Sequence, residues 1–220
     1  MKRHTLAAMS LLCIVTTILA AAAANAAGTS TATMPKGYLY DRAGTVARVE
    51  SYISEISTIQ AKFNQVAPDG SVQTGTFYLQ RPGKMRWQYN PPTPVLLVSD
   101  GDTITYYDSD LGQVNYIALD DTLAGFLARK DVRLESAATK ITDFKAEADV
   151  IRITIVERTD PAKGALTLEF VDRPLQLKFM TVKDASGNVT RVQLQGAEYG
   201  MKLDPALFVF KDPRGIRRGR

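Results

Sequence analysis

The chain has 220 residues, 45% of them hydrophobic and 23% charged, with 27 basic against 23 acidic side chains. Its only cysteine, Cys13, and its only histidine, His4, fall in an opening segment laid out as a cleavable secretory signal: Lys2 and Arg3, an apolar run over residues 6–24, then the small residues Ala24-Asn25-Ala26. Without residues 1–26, no disulfide, thiolate nucleophile, Ser-His-Asp triad, His-bearing zinc site or His- or Cys-ligated haem can be built, which leaves carboxylate, lysine or tyrosine chemistry.

Cys13 follows Leu11-Leu12 inside the apolar run, so it does not read as a lipidation site, and the mature protein is expected to be soluble, unlipidated and periplasmic. Loss of Lys2 and Arg3 leaves 25 basic against 23 acidic residues, and four of the basic ones crowd the end as Arg214, Arg217, Arg218 and Arg220. The sequence pI near 9.1 therefore reflects the two ends and not a basic stripe, which speaks against a nucleic-acid partner.

Residues 27–44 are small, polar and without a sustained period, and read as a mobile mature N-terminus. From Thr45, the apolar residues Val46, Val49, Ile53, Ile56, Ile59, Phe63 and Val66 recur every three or four positions, which predicts one amphipathic helix of five to six turns over residues 45–66. Pro68-Asp69-Gly70 ends it. The period then becomes two: Phe77 and Leu79 alternate with polar neighbours, as do Met85, Trp87 and Tyr89, which predicts two strands joined at Arg81-Pro82-Gly83.

After Pro91-Pro92-Thr93-Pro94, short strands are predicted over residues 95–99, 103–107 and 113–119, with Asp100-Gly101 as a turn. A short helix capped at Asp121 or Thr122 carries Leu123, Phe126 and Leu127 and ends near Lys130. Residues 150–156, 165–171, 175–182 and 189–195 are strand-like and separated by turn signals. About ten to eleven antiparallel strands with few helices predict a mainly β domain over residues 45–213, an incomplete open barrel closed by a long N-terminal helix and one or more short helices. Residues 214–220 are left as a basic tail.

Asp100, Asp102, Asp108 and Asp110 lack the twelve-residue loop and terminal Glu of a calcium site and read as turn residues, so no metal and no cofactor is expected. Taken alone, Phe63, Phe77, Leu79, Met85, Trp87 and Tyr89 fit an ordinary core as well as a ligand-binding wall. Arg81 fits a surface arginine paired with a carboxylate.

The block Gly75-Thr76-Phe77-Tyr78-Leu79-Gln80-Arg81-Pro82-Gly83-Lys84-Met85-Arg86-Trp87-Gln88-Tyr89, followed by Leu97-Val98-Ser99-Asp100-Gly101, resembles the outer-membrane lipoprotein carrier protein family, LolA. The likeness extends to Lys62-Phe63-Asn64-Gln65, Tyr107-Asp108, Leu111-Gly112-Gln113, Leu203-Asp204-Pro205 and Leu207-Phe208-Val209-Phe210. One departure is Thr122-Leu123, where many members carry Thr-Pro. The resemblance implies a helix-lidded half-barrel that is not an enzyme. Such a protein takes acylated lipoproteins from an inner-membrane ABC transporter and delivers them to an outer-membrane receptor, LolB. It also implies that Arg81 latches the lid, that Phe63, Phe77, Leu79, Met85, Trp87, Tyr89, Phe126 and Leu127 line the lipid cavity, and that the protein is a monomer. Two other readings share these features: a periplasmic lipoprotein or lipid sensor on the same half-barrel, and a glycosidase using two carboxylates.

Overall fold

The computed structural model describes residues 41–214. The signal peptide at 1–26, most of the mobile stretch expected over 27–44, and the tail beyond Arg214 lie outside the described residues. Helix α1 (Arg42–Glu55) starts three residues before the expected Thr45, because the Asp41 carboxylate accepts a hydrogen bond from the Gly44 N–H at 2.7 Å and caps it. Eleven strands follow: β1 (Thr58–Val66), β2 (Val72–Gln80), β3 (Lys84–Tyr89), β4 (Val95–Asp100), β5 (Thr103–Asp108), β6 (Gln113–Ala118), β7 (Thr139–Glu147), β8 (Val150–Glu157), β9 (Gly164–Val171), β10 (Gln176–Asp184) and β11 (Val189–Tyr199). A second helix, α2 (Leu123–Ala128), interrupts them after β6.

The strands form one antiparallel sheet in the order β6-β5-β4-β3-β2-β1-β11-β10-β9-β8-β7. Strands β6 and β7 are its two edges, so the barrel is open, as the sequence pattern predicts. Side chains alternate between the faces. Ile59, Ala61 and Phe63 of β1, Phe77 and Leu79 of β2, and Met85 and Trp87 of β3 point to the concave face, which α1 and α2 cover.

The helix expected over residues 45–66 is corrected: it stops at Glu55, and the remainder is β1, the central strand between β2 and β11. The spacing of four between Ile59 and Phe63 fits one turn of helix and two repeats of strand equally well, so apolar periodicity alone does not choose. Backbone pairing with a strand on each side decides. Strand β7 has no clear signal in the sequence, because a bulge between Ile141 and Asp143 breaks the alternation of Ile141, Phe144 and Ala146. Helix α2 falls where expected: the Thr122 hydroxyl accepts from the Gly125 N–H at 2.9 Å, so the cap forms although no proline follows it.

The driest core lies where α1 meets β8 and β9. Val49 of α1, Val132 and Leu134 after α2, Ile151, Ile153 and Ile155 of β8, and Leu168 and Phe170 of β9 are all sealed from solvent. Each such side chain contributes about 1.5–3 kcal/mol by leaving water, and this holds a fourteen-residue helix too short to be stable alone. On the convex face, a 3₁₀ turn at Pro205–Phe208 packs on β3 and β4, and Arg86 donates to the Leu207 carbonyl at 3.1 Å. Arg214, expected in the tail, is tied into this body through Asp212 and a 2.9 Å hydrogen bond to the Gly112 carbonyl. No helix among the described residues is long and apolar enough to cross a membrane.

Candidate functional site

Between the helices and the concave face lies a cavity of about 100 Å³. Its floor is Ile59, Phe77, Leu79, Met85 and Trp87 on β1 to β3. One wall is Leu166, Leu177, Met180, Val182, Val192 and Leu194 on β9 to β11, and the roof is Tyr52, Ile53 and Ile56 of α1 with Leu127 of α2. Of the residues around it, only Arg81 is charged. A space this small is below the roughly 300–1,000 Å³ of pockets that hold drug-sized ligands. It can take part of a hydrocarbon chain as it stands, and more only if its walls or roof move.

Arg81 sits in the β2–β3 turn beneath the C-terminal ends of both helices. Its Nη1 donates to the Ile56 carbonyl at 2.7 Å and also to the Ile53 carbonyl; its Nε and Nη2 both donate to the Leu127 carbonyl, at 3.1 and 2.6 Å. Helix ends leave carbonyls unpaired and carry partial negative charge, so one guanidinium satisfies two helices at once. Burial lowers the Arg81 pKa to about 10, which keeps it charged at neutral pH. The turn adds a backbone tie, the Gly83 N–H donating to the Ala128 carbonyl at 2.8 Å. Gly83 has φ of +73°, and a Cβ there would stand 2.3 Å from the Gly101 carbonyl oxygen, so glycine is required.

The two helices are held differently. Helix α2 is fastened to the turn by Arg81 and Gly83, whereas α1 also has side-chain anchors in the other half of the sheet and in the segment between α2 and β7. Arg48 makes two hydrogen bonds to Asp172 at 2.6 and 3.0 Å, and Glu50 accepts from the Leu134 N–H at 2.8 Å and from Arg133 at 3.1 Å. Tyr52 accepts from the Leu177 N–H at 3.2 Å and shares a hydrogen bond with Tyr199 at 3.1 Å.

Of the residues expected to line the cavity, Phe77, Leu79, Met85, Trp87 and Leu127 do so. Phe63, Tyr89 and Phe126 are not among the lining residues. The Phe63 ring stands edge-on to Trp87 and Tyr89 with centroids 5.0 and 5.1 Å away, in space left by Gly75, where a Cβ would come within 2.6 Å of it. Phe126 is buried in the core. The wall from β9 to β11 was not anticipated as part of the site, although the alternation of Leu166, Leu168 and Phe170 carries its signal. Asp100 and Asp108, expected as turn residues, each accept two backbone N–H bonds within their own hairpins.

The family described as outer membrane lipoprotein carrier protein LolA matches residues 54–211. An outer-membrane lipoprotein carrier protein of Methylococcus capsulatus is 33% identical over 178 residues, covering 77% of this chain and 85% of that one. A protein of the same name from Nitrosospira multiformis is 32% identical over 184 residues, covering 78% and 86%. Among solved structures, a LolA superfamily protein from Nitrosomonas europaea superposes with a TM-score of 0.44 at 10% identity over 75% of this chain and 97% of that one. The match runs from the last turn of α1, which Arg81 holds, to the segment that closes the convex face, and the chain belongs to the outer-membrane lipoprotein carrier protein family, LolA.

Proposed function

We propose that the protein is a periplasmic carrier that shelters the acyl chains of lipoproteins leaving the inner membrane and gives them up at the outer membrane. The carrying observation is the apolar cavity under two helices whose C-terminal carbonyls converge on Arg81. Each buried methylene contributes about 0.8 kcal/mol, so a chain of about fifteen carbons gains roughly 12 kcal/mol if fully sheltered. Holding such cargo is easy on these terms, and release is the harder step. Closure around Arg81 is available only when the cavity is empty or nearly so, and the free energy of re-forming those hydrogen bonds offsets part of what the departing chains lose.

The donor is expected to be an inner-membrane lipoprotein-releasing ABC transporter and the acceptor an outer-membrane receptor equivalent to LolB. No covalent bond is made or broken in this cycle, so the protein acts without catalysis, as a monomer that binds acylated protein.

The test is a reconstituted handover in which labelled acylated lipoprotein is loaded on the carrier and the receptor is then added. Wild-type protein is expected to keep the label soluble and pass it on. Arg81→Leu is expected to load but to retain the label, with the closing equilibrium shifted tenfold or more for each charged hydrogen bond of about 1.5–3 kcal/mol removed. Failure of the wild-type protein to keep the acylated lipoprotein in solution would end the carrier reading. Transfer by Arg81→Leu at the wild-type rate would leave Arg81 a structural tie with no part in delivery.

A further inference from the structure

The concave face is apolar along most of its length and then changes at one rim. Four strands line up there by register: Gln73 of β2 faces Gln65 of β1, Gln65 faces Val192 of β11, and Val192 faces Met180 of β10. Val192 and Met180 belong to the cavity wall, and the two glutamines, which do not line the cavity themselves, continue that row across the same face. They lie at the opposite end of β2 from Arg81, and Gln65 is only 9% exposed.

These side chains are linked to each other. The Tyr89 hydroxyl donates to Gln65 Oε1 at 2.8 Å, and Gln65 Nε2 donates to Gln73 Oε1 at 2.9 Å. A phenol and two carboxamides hold five polar hydrogens between them, and two bonds use two of these, whichever way the carboxamides are turned. Three donors are left over. Among the described residues the Gln73 amide nitrogen donates to nothing, and no fully buried side-chain N or O lacks a partner, so that nitrogen reaches accessible space. The rim thus offers free neutral donors, the Gln73 amide foremost, at the end of an apolar face. Neutral donors suit uncharged carbonyl oxygens, whereas a carboxylate is best met by a cation.

We infer that Gln73 and Gln65, backed by Tyr89, bind the ester and amide carbonyls that join acyl chains to their glycerol and cysteine, with the chains running from this rim toward Arg81. The inference rests on the carrier reading above and adds a specificity site to it. Apolar surface alone cannot tell an acylated headgroup from any other hydrocarbon. A row of donors that gains bonds only when carbonyls arrive at the rim can.

The test compares two probes on the full-length protein: a peptide whose N-terminal cysteine bears a diacylglyceryl group with ester-linked chains, and the same peptide with ether linkages in place of the two ester carbonyls. Wild-type protein is expected to prefer the ester probe by about three- to tenfold, the range of one or two neutral hydrogen bonds. In Gln73→Leu the ratio of the two affinities should fall toward one. Gln73→Glu keeps the size and the acceptor for Gln65 while removing both donors, and should abolish or reverse the preference. Equal affinity of the wild-type protein for both probes, or an undiminished ester preference in both variants, would overturn the rim site and leave the carrier intact. Binding of neither probe by the wild-type protein would overturn both.

Discussion

A guanidinium presents five N–H donors in one plane, and at position 81 it uses them on the Ile53, Ile56 and Leu127 carbonyls. Lysine supplies the charge from a single nitrogen and cannot span two helix ends in the same way, so Arg81→Lys is expected to fall between wild type and Arg81→Leu in the handover. Tyr89 makes a separate prediction about pH. Burial pushes its pKa up to about 12. An unfolded tyrosine ionises near pH 10. Between pH 10 and about 12 the unfolded chain has therefore lost a proton that the folded one keeps, so the stability contributed by burying the neutral phenol is intact below pH 10 and lost as pH rises through 12. Denaturant titrations across this window should show stability falling with pH, with a smaller slope in Tyr89→Phe; an equal slope would mean that Tyr89 is not responsible.

The two helices are fastened at different places: both meet Arg81 at their C-terminal ends, and α1 has further ties along its length. Asp172, nearly buried at the β9–β10 turn, holds Arg48 of α1 through two hydrogen bonds, and this tie is independent of Arg81. The Arg48 side chain is 44% exposed, so solvent screening reduces the value of the pair, and Asp172→Asn is expected to cost about 1 kcal/mol. Hydrogen exchange should localise the change: faster exchange in the first two turns of α1, with α2 unaffected. Arg81→Leu should give the opposite pattern, loosening α2 and the last turn of α1. A uniform change along both helices in either variant would argue against separate fastenings.

These fastenings also show what a linear sequence conceals. Arg81 was recognisable because its turn lies within a run of neighbouring residues with a distinctive order. Arg48 and Asp172 are 124 positions apart, and Tyr52 and Tyr199 are 147 apart; no local pattern connects them. The concave floor was legible from the alternation of Phe77, Leu79, Met85 and Trp87. Tyr89 continues that alternation, yet its ring packs edge-on against Phe63 beyond the cavity, because period two specifies a face and not a position along it.

At the scale of the molecule, one curved sheet serves as both scaffold and container. An environment-sensitive apolar dye is expected to enter the trough, to be displaced by an acylated peptide and to be unaffected by the same peptide without its acyl group. Equal displacement by both peptides would place the dye on some other surface. The container's size, however, is not set by its present 100 Å³. Strands β6 and β7 end the sheet without pairing to each other, so its eleven strands make a cuff with a slit and not a ring. In a closed ring, strand number and stagger set the girth, and widening it breaks a ladder. A slit cuff is free of that constraint: it can spread by twist and coil with its existing inter-strand hydrogen bonds kept, the outer sides of β6 and β7 being the edges that a ring would not have.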